Sequence, residues 1–114
     1  MKIISFASAE DIKAKFEEIE VDWRAVDLML DKFLFVTVEI PEVRNVEANI
    51  IKQEMLVLGG EAAVNRHAIS CSVPTTPVLL AGTKKSMRRL IERLRAQNIG
   101  KLADIADELE QLLF

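Results

Sequence analysis

The chain is short of the residues that staple, stack or kink a fold. Its 114 residues include one cysteine, one histidine, one tryptophan, no tyrosine, three prolines and four glycines. A lone Cys71 excludes an internal disulfide, and without a CxxC pair or a Cys/His cluster no set of ligands has metal-site spacing. A reducing, cytoplasmic setting is the expectation. Five phenylalanines and one tryptophan leave little for base stacking. No apolar run approaches the roughly 20 residues of a membrane span. The opening Met1–Ala7 is apolar for too short a stretch to read as a signal peptide. Neither nucleic acid nor membrane is therefore expected as a partner.

What is present is a globular balance, with half the residues hydrophobic and 29% charged, which places 1–114 as a single domain able to bury a core without staples. The net charge of −3 conceals an uneven distribution. Residues 1–42 carry 5 basic and 10 acidic side chains, whereas 84–101 carry 7 basic and 1 acidic. One basic segment in an acidic chain is a local feature, read either as an anion- or partner-binding face or as a solvated face paired with the acidic first or last helix.

Periodicity orders the chain as strand, helix, strand, helix, strand, strand, helix, helix. Residues 3–6 read as a first strand. Ser8 caps a helix through Ile12, Phe16 and Ile19, with Asp11 in a near-capping-box position. Residues 22–32 read as a loop with one helical turn. Residues 33–40 alternate as a strand, with Phe33 and Phe35 suggesting cover on both faces and Pro41 ending it. Residues 45–58 carry the helical stripe Ala48, Ile51, Met55, Leu58, stopped by Gly59–Gly60, and 61–66 follow as a turn or loop. Residues 68–73 read as a strand with Ile69, Cys71 and Val73 on one face. A turn over 74–77 leads into a central strand over 78–81. Helices over 84–97 (Met87, Leu90, Ile91, Leu94) and 101–113 close the chain. This order predicts an α/β fold (α+β being the variant), a four-stranded mixed sheet packed with about four helices.

Two turns are candidate ligand sites. Gly59, Gly60 and Glu61, with Asn65 and Arg66, could admit a phosphate or carboxylate close to the backbone, but they follow a helix and also read as its stop. Gly82, Thr83 and Lys84 lie between a strand and a helix, where orphan amides could hold an anion, or where Thr83 is an ordinary N-cap. The Walker spacing is absent. His67 and Cys71 on one strand would sit ~13 Å apart, so no dyad is expected. His67 reads as a turn residue and Cys71 as a small buried hydrophobe. Glu54 and Glu61 are the nearest carboxylates for acid–base work, with solvated or capping roles as the plain reading.

The run from Ala48 through Ile51-Lys52-Gln53-Glu54-Met55-Leu56 to Gly59-Gly60-Glu61-Ala62-Ala63-Val64 resembles the N-terminal domain that precedes the pterin-binding barrel in some dihydropteroate synthase-like proteins. Leu79-Leu80-Ala81-Gly82-Thr83 is similar to that family's LLxGT stretch. Pro77 stands where an acid is usual, and Gln97-Asn98-Ile99-Gly100 where Gln-Pro-Phe-Gly is usual. The resemblance implies a folate or pterin context and a non-catalytic accessory role: docking on the barrel, dimerisation or substrate holding. No catalytic residue or cofactor carries over, because the synthase site lies in a (β/α)₈ barrel of about 250 residues. A small-anion or pterin-binding module at the two turns is the second expectation, and an independent enzyme using His67, Glu54 or Glu61 the third. The apolar surface for docking is expected at Leu112, Leu113 and Phe114.

Overall fold

The computed structural model describes residues 1–114 as a mixed α/β chain of five helices and a three-stranded antiparallel sheet. The elements are α1 (Ala9–Ile19), α2 (Val26–Phe33), β1 (Phe35–Arg44), α3 (Asn45–Val57), β2 (Glu61–Ala63), β3 (Thr75–Thr83), α4 (Lys84–Ala96) and α5 (Leu102–Leu113). The strand order β1-β3-β2 puts β3 at the centre, as its continuous apolar run implies, and both of its pairings are antiparallel. The expected mixed sheet of four strands is thus corrected to three antiparallel strands.

Two expected strands are missing for identifiable reasons. Residues 1–6 carry no regular structure, and Ile3 and Ile4 are exposed; they pair with neither edge of the sheet. Residues 67–72 fold into successive turns. The Asn65 carboxamide accepts from His67 N–H, Cys71 N–H reaches Ala68 C=O, and Ser72 N–H reaches His67 C=O. Ala68 is the buried plug of this loop, while Ile69 and Cys71 are exposed, so Cys71 is not the buried residue expected. Its φ of 57° is a turn geometry that no strand would impose.

Residues 61–63, expected within a turn or loop, instead supply the edge strand β2, and two other segments are also more regular than expected. Residues 26–33 form a full helix, α2, because Asp22 gathers Arg24 N–H and its guanidinium just upstream, and Phe33 at the far end packs edge-on against Phe16 of α1 at 5.2 Å. Strand β1 runs through Pro41 to Arg44. Proline is tolerated there because β1 is an edge strand and because the register shifts between Ile40 and Val43. Pro77 of the central strand lies opposite that bulge, where its missing N–H breaks no ladder bond. The expected turn over 74–77 is accordingly the first part of β3.

The helix signals hold. Ser8 accepts from Asp11 N–H at 3.3 Å, and Thr83 accepts from Ser86 N–H at 3.1 Å. At the end of α3, Gly60 N–H bonds Met55 C=O and Gly59 N–H bonds Leu56 C=O, with Gly59 at φ 83°. This is a Schellman closure, and the left-handed residue costs least as glycine.

The helical stripes of α3, α4 and α5 cover one face of the sheet. Val38, Val78, Leu80 and Ala62 meet Ile51, Met55, Met87, Leu90 and Leu102 in a single buried cluster. The first two helices form a separate hairpin, whose buried Ile12 and Phe16 lie outside that cluster. The molecule is correspondingly long, 52 × 29 × 21 Å, with a radius of gyration of 16.3 Å, against about 13 Å for a compact chain of this length.

One buried charge belongs to the fold. Glu47 of α3 is only 3% exposed. Its carboxylate accepts from Lys101 N–H at 3.2 Å and lies 3.6 Å from Arg44. It fits there because Gly100 has no side chain: a Cβ at that position would overlap the Glu47 carboxylate, and its φ is 49°. Gly100→Ala is therefore expected to destabilise by about 2 kcal/mol, from left-handed strain together with displacement of the carboxylate. Urea unfolding checks this, and in a Glu47→Ala background the clash should vanish while the left-handed strain remains.

Candidate functional site

The two glycine turns are neighbours in space. Pairing of β2 with β3 sets Glu61 against Ala81, which brings Gly60 next to Gly82. A Cβ built on Gly82 would lie 3.9 Å from Gly60 Cα. The gap between them is occupied by the Met55 side chain: Cβ atoms on Gly60 and on Gly82 would each come within 2.5 Å of Met55 Cε. At Gly60 the carbonyl oxygen of Ala81 is also only 2.8 Å away. The close backbone approach that glycine permits here serves packing of the protein on itself.

The backbone donors at these turns have partners. Gly59 and Gly60 N–H close the α3 terminus, and Ala62 N–H bonds the Glu61 carboxylate at 2.9 Å. Lys84 N–H reaches Leu34 C=O at 2.8 Å, and Ser86 N–H reaches Thr83 Oγ1. Glu61 is held below its ordinary range first by the Ala62 amide and then by Lys52, whose ammonium also donates to Ala62 C=O at 2.6 Å. Asn65 and Arg66 lie past the other end of β2. Asn65 N–H bonds the buried Thr76 hydroxyl, and Arg66 donates to His67 Nε2 at 3.1 Å. The structure thus joins Gly60 with Gly82 and leaves Asn65 and Arg66 apart from Thr83 and Lys84.

The remaining titratable candidates are engaged separately. Glu54 accepts from Arg93 and from Gln97, Glu61 pairs with Lys52, and His67 meets only Arg66. The Cys71 thiol, exposed, makes no hydrogen bond to the imidazole. No group of three or more His, Cys, Asp or Glu side chains is placed to hold a metal ion, and no helix is long and apolar enough to cross a membrane.

Much of the basic face of α4 is internally paired. Arg95 bridges Asp107 and Glu110 of α5, Arg93 meets Glu54 of α3, and Arg88 meets Asp31 of α2 at 2.7 Å. Arg88 also stacks on the Phe114 ring at 3.7 Å, and Lys84 donates to Leu113 C=O. The chain end expected as a docking patch is therefore partly clasped by α4, with Leu112 left exposed. Arg95, by hydrogen bond and then by charge, holds the Glu110 carboxyl below its ordinary 4.5. A carboxylate depressed in the folded state contributes stability that is present above its unfolded value and lost as pH falls through the folded one. The thermal midpoint should consequently drop as pH is lowered past about 4.5, and Glu110→Gln should make that drop shallower. Screening of this exposed pair keeps the effect small, and added salt should shrink it further.

The second face of the sheet has no helix packed on its exposed Phe35 and Leu79. Side chains at alternate positions of β1 and β3 point away from the helices. Phe35 (67% exposed) and Leu79 (48%) stand there with Pro77, Ala63 and Ala81. Thr37, Glu39 and Glu61 complete the surface. Leu79 adjoins Ala63 of β2 on one side and Glu39 of β1 on the other, while Phe35 lies opposite Thr83 at the far end of β3. Sequence periodicity flagged Phe35 on this second face but read it as covered. A search of protein-family models, curated proteins and solved structures finds no match to this chain.

Proposed function

We propose that this chain is a non-catalytic accessory domain whose working surface is the uncovered face of its sheet, and that it docks there on a pterin-binding barrel of the dihydropteroate synthase type. The observation that carries the reading is the composition of that face. An antiparallel sheet with one solvated side ordinarily presents polar residues to water. Here Phe35, Pro77 and Leu79 share the open side with Thr37, Glu39 and Glu61, a mixture of apolar anchors and polar residues that suits a surface covered in a working assembly. The choice of occupant rests on the resemblance of residues 48–64 and 79–83 to the domain preceding such barrels. The residues that carry this resemblance, Met55, Gly60 and Gly82, pack on one another, which suits a scaffold better than a reaction centre.

Sedimentation velocity tests the reading. The chain mixed with a separately prepared dihydropteroate synthase-type barrel should co-sediment as a stoichiometric complex. Independent boundaries at concentrations of tens of micromolar, a range typical of weak interfaces, would remove the barrel as partner. A concentration-dependent boundary for the chain alone would assign the face to a homodimer instead.

A further inference from the structure

We propose that the free edge of β1 takes residues 2–6 of a second copy of this chain as an added antiparallel strand, so that two chains exchange strands in a symmetric dimer. The edge is bare at identifiable positions. Lys84 N–H bonds Leu34 C=O, and the register continues as Val36 opposite Gly82 and Val38 opposite Leu80. Ladder bonds alternate along an antiparallel pair, so Phe35, Thr37 and Glu39 turn their N–H and C=O groups outward. Such groups are a template for another strand. A groove of about 80 Å³ lies along the same edge, between β1 and α5, and is lined by Val38, Ile40, Ile105, Leu109 and Leu112. It has room for one aliphatic side chain, and Leu112 of its lining is exposed.

The chain itself supplies the occupant. Lys2-Ile3-Ile4-Ser5-Phe6 is apolar and suited to a strand, yet it pairs with neither edge of its own sheet, and Ile3 is 98% exposed. One antiparallel register makes segment and edge match. With Ile4 opposite Thr37, Lys2 stands opposite Glu39 and Phe6 opposite Phe35 on the open side. These are an opposite-charge pair and an aromatic pair, cross-strand combinations that stabilise sheets. Ile3 then falls opposite Val38 on the helix-covered side, at the groove beneath α5. A parallel strand over the same span would instead set Lys2 beside Phe35 and Phe6 beside Glu39. Strands of five residues make a small interface, so the dimer is expected at about hundreds of micromolar, above the range in which the barrel is tested. The edge is distinct from the open face, and failure of the exchange would leave the docking reading untouched.

Light scattering of the full chain at up to about 1 mM tests this, together with amide hydrogen exchange over the same range. A monomer–dimer equilibrium should appear. The amides of Phe35, Thr37 and Glu39 should gain protection with concentration, while those of Val36 and Val38, already within the ladder, should change little. Ile3→Asp should weaken dimerisation at least about tenfold and leave the monomer's melting temperature unchanged, because Ile3 is exposed there. Lys2→Glu should also weaken it, and Lys2→Glu combined with Glu39→Lys should restore it, which fixes the register. A monomer throughout the range would overturn the proposal. So would protection that does not depend on concentration, which would mean pairing within one chain. A dimer indifferent to Ile3→Asp would overturn it as well, and would place self-association on the open face.

Discussion

Gly60→Ala should destabilise the chain by about 2–3 kcal/mol, whereas Gly82→Ala should cost less than about 1 kcal/mol, although each added methyl meets the same Met55 Cε atom. The difference lies in what else is near. A Cβ at Gly60 would also press on the Ala81 carbonyl oxygen at 2.8 Å, which is backbone of the central strand and cannot move without shifting β3. At Gly82 the only severe contact is the end of a methionine, a flexible thioether that can swing aside. Met55 itself is fully buried, so Met55→Ala should cost about 2–5 kcal/mol. In that background the Gly82→Ala penalty should vanish and most of the Gly60→Ala penalty should remain. Urea midpoints for the three single and two double variants measure the coupling directly. Equal costs at the two glycines would mean that Met55, and not the strand, sets both. The same variants bear on function: if the glycine turns are a packing device, affinity for a partner should fall only in proportion to the fraction unfolded.

The second large effect concerns the open sheet face. Phe35→Asp with Leu79→Asp should weaken association with the barrel at least about 100-fold, the scale on which a central apolar anchor acts in an interface. Both side chains face the open side in the isolated chain, so little burial is lost; the new carboxylate at position 79 faces Glu39, and the melting temperature should fall by only about a few degrees. A loss of binding accompanied by unfolding would be uninformative for any buried position. At these two positions it would itself contradict the geometry. Leu112→Asp, on the partly clasped chain end, should change affinity by less than about threefold, as expected outside the interface core.

How far these features are legible in the sequence depends on how local their causes are. The three helices over 45–57, 84–96 and 102–113 follow from their apolar stripes, and their ends from Thr83, Gly59 and Gly60, because capping is settled within a few residues. The strand through Pro41 and the strand beginning before Pro77 are not legible. Each proline by itself argues for an end, and only the pairing of β1 with β3 reveals that Pro77 stands opposite the bulge at Pro41. The loop over 67–72 alternates small and apolar residues as a strand would. Short polar side chains at Asn65, Ser70 and Ser72 bond locally and favour turns. Glu47 and Gly100 are 53 positions apart in sequence yet interlock, and Asp31 meets Arg88 across two helices. Periodicity carries no information about such pairs.

Of the candidate site, the two glycine turns stand out in the sequence as separate candidates, and only the pairing of β2 with β3 sets them side by side with Met55 between them. Periodicity marks Met55 only as one member of a core stripe. The open face was half legible: alternation in 33–40 put Phe35 on the second side, but whether another layer covers that side is decided by chain topology. Helices α3, α4 and α5 pack on the first face, and the α1–α2 hairpin, held to α4 by the Asp31–Arg88 bridge, leaves Phe35 and Leu79 exposed on the second.

Amide hydrogen exchange of the chain, with and without the dihydropteroate synthase-type barrel, is the most direct measurement of where the partner sits. Docking through the open face predicts new protection at the exposed edge of β1 and along β2, with the α1–α2 hairpin and α4 unchanged. Protection confined to α4 or to the hairpin, with the sheet edges exchanging as in the free chain, would contradict it.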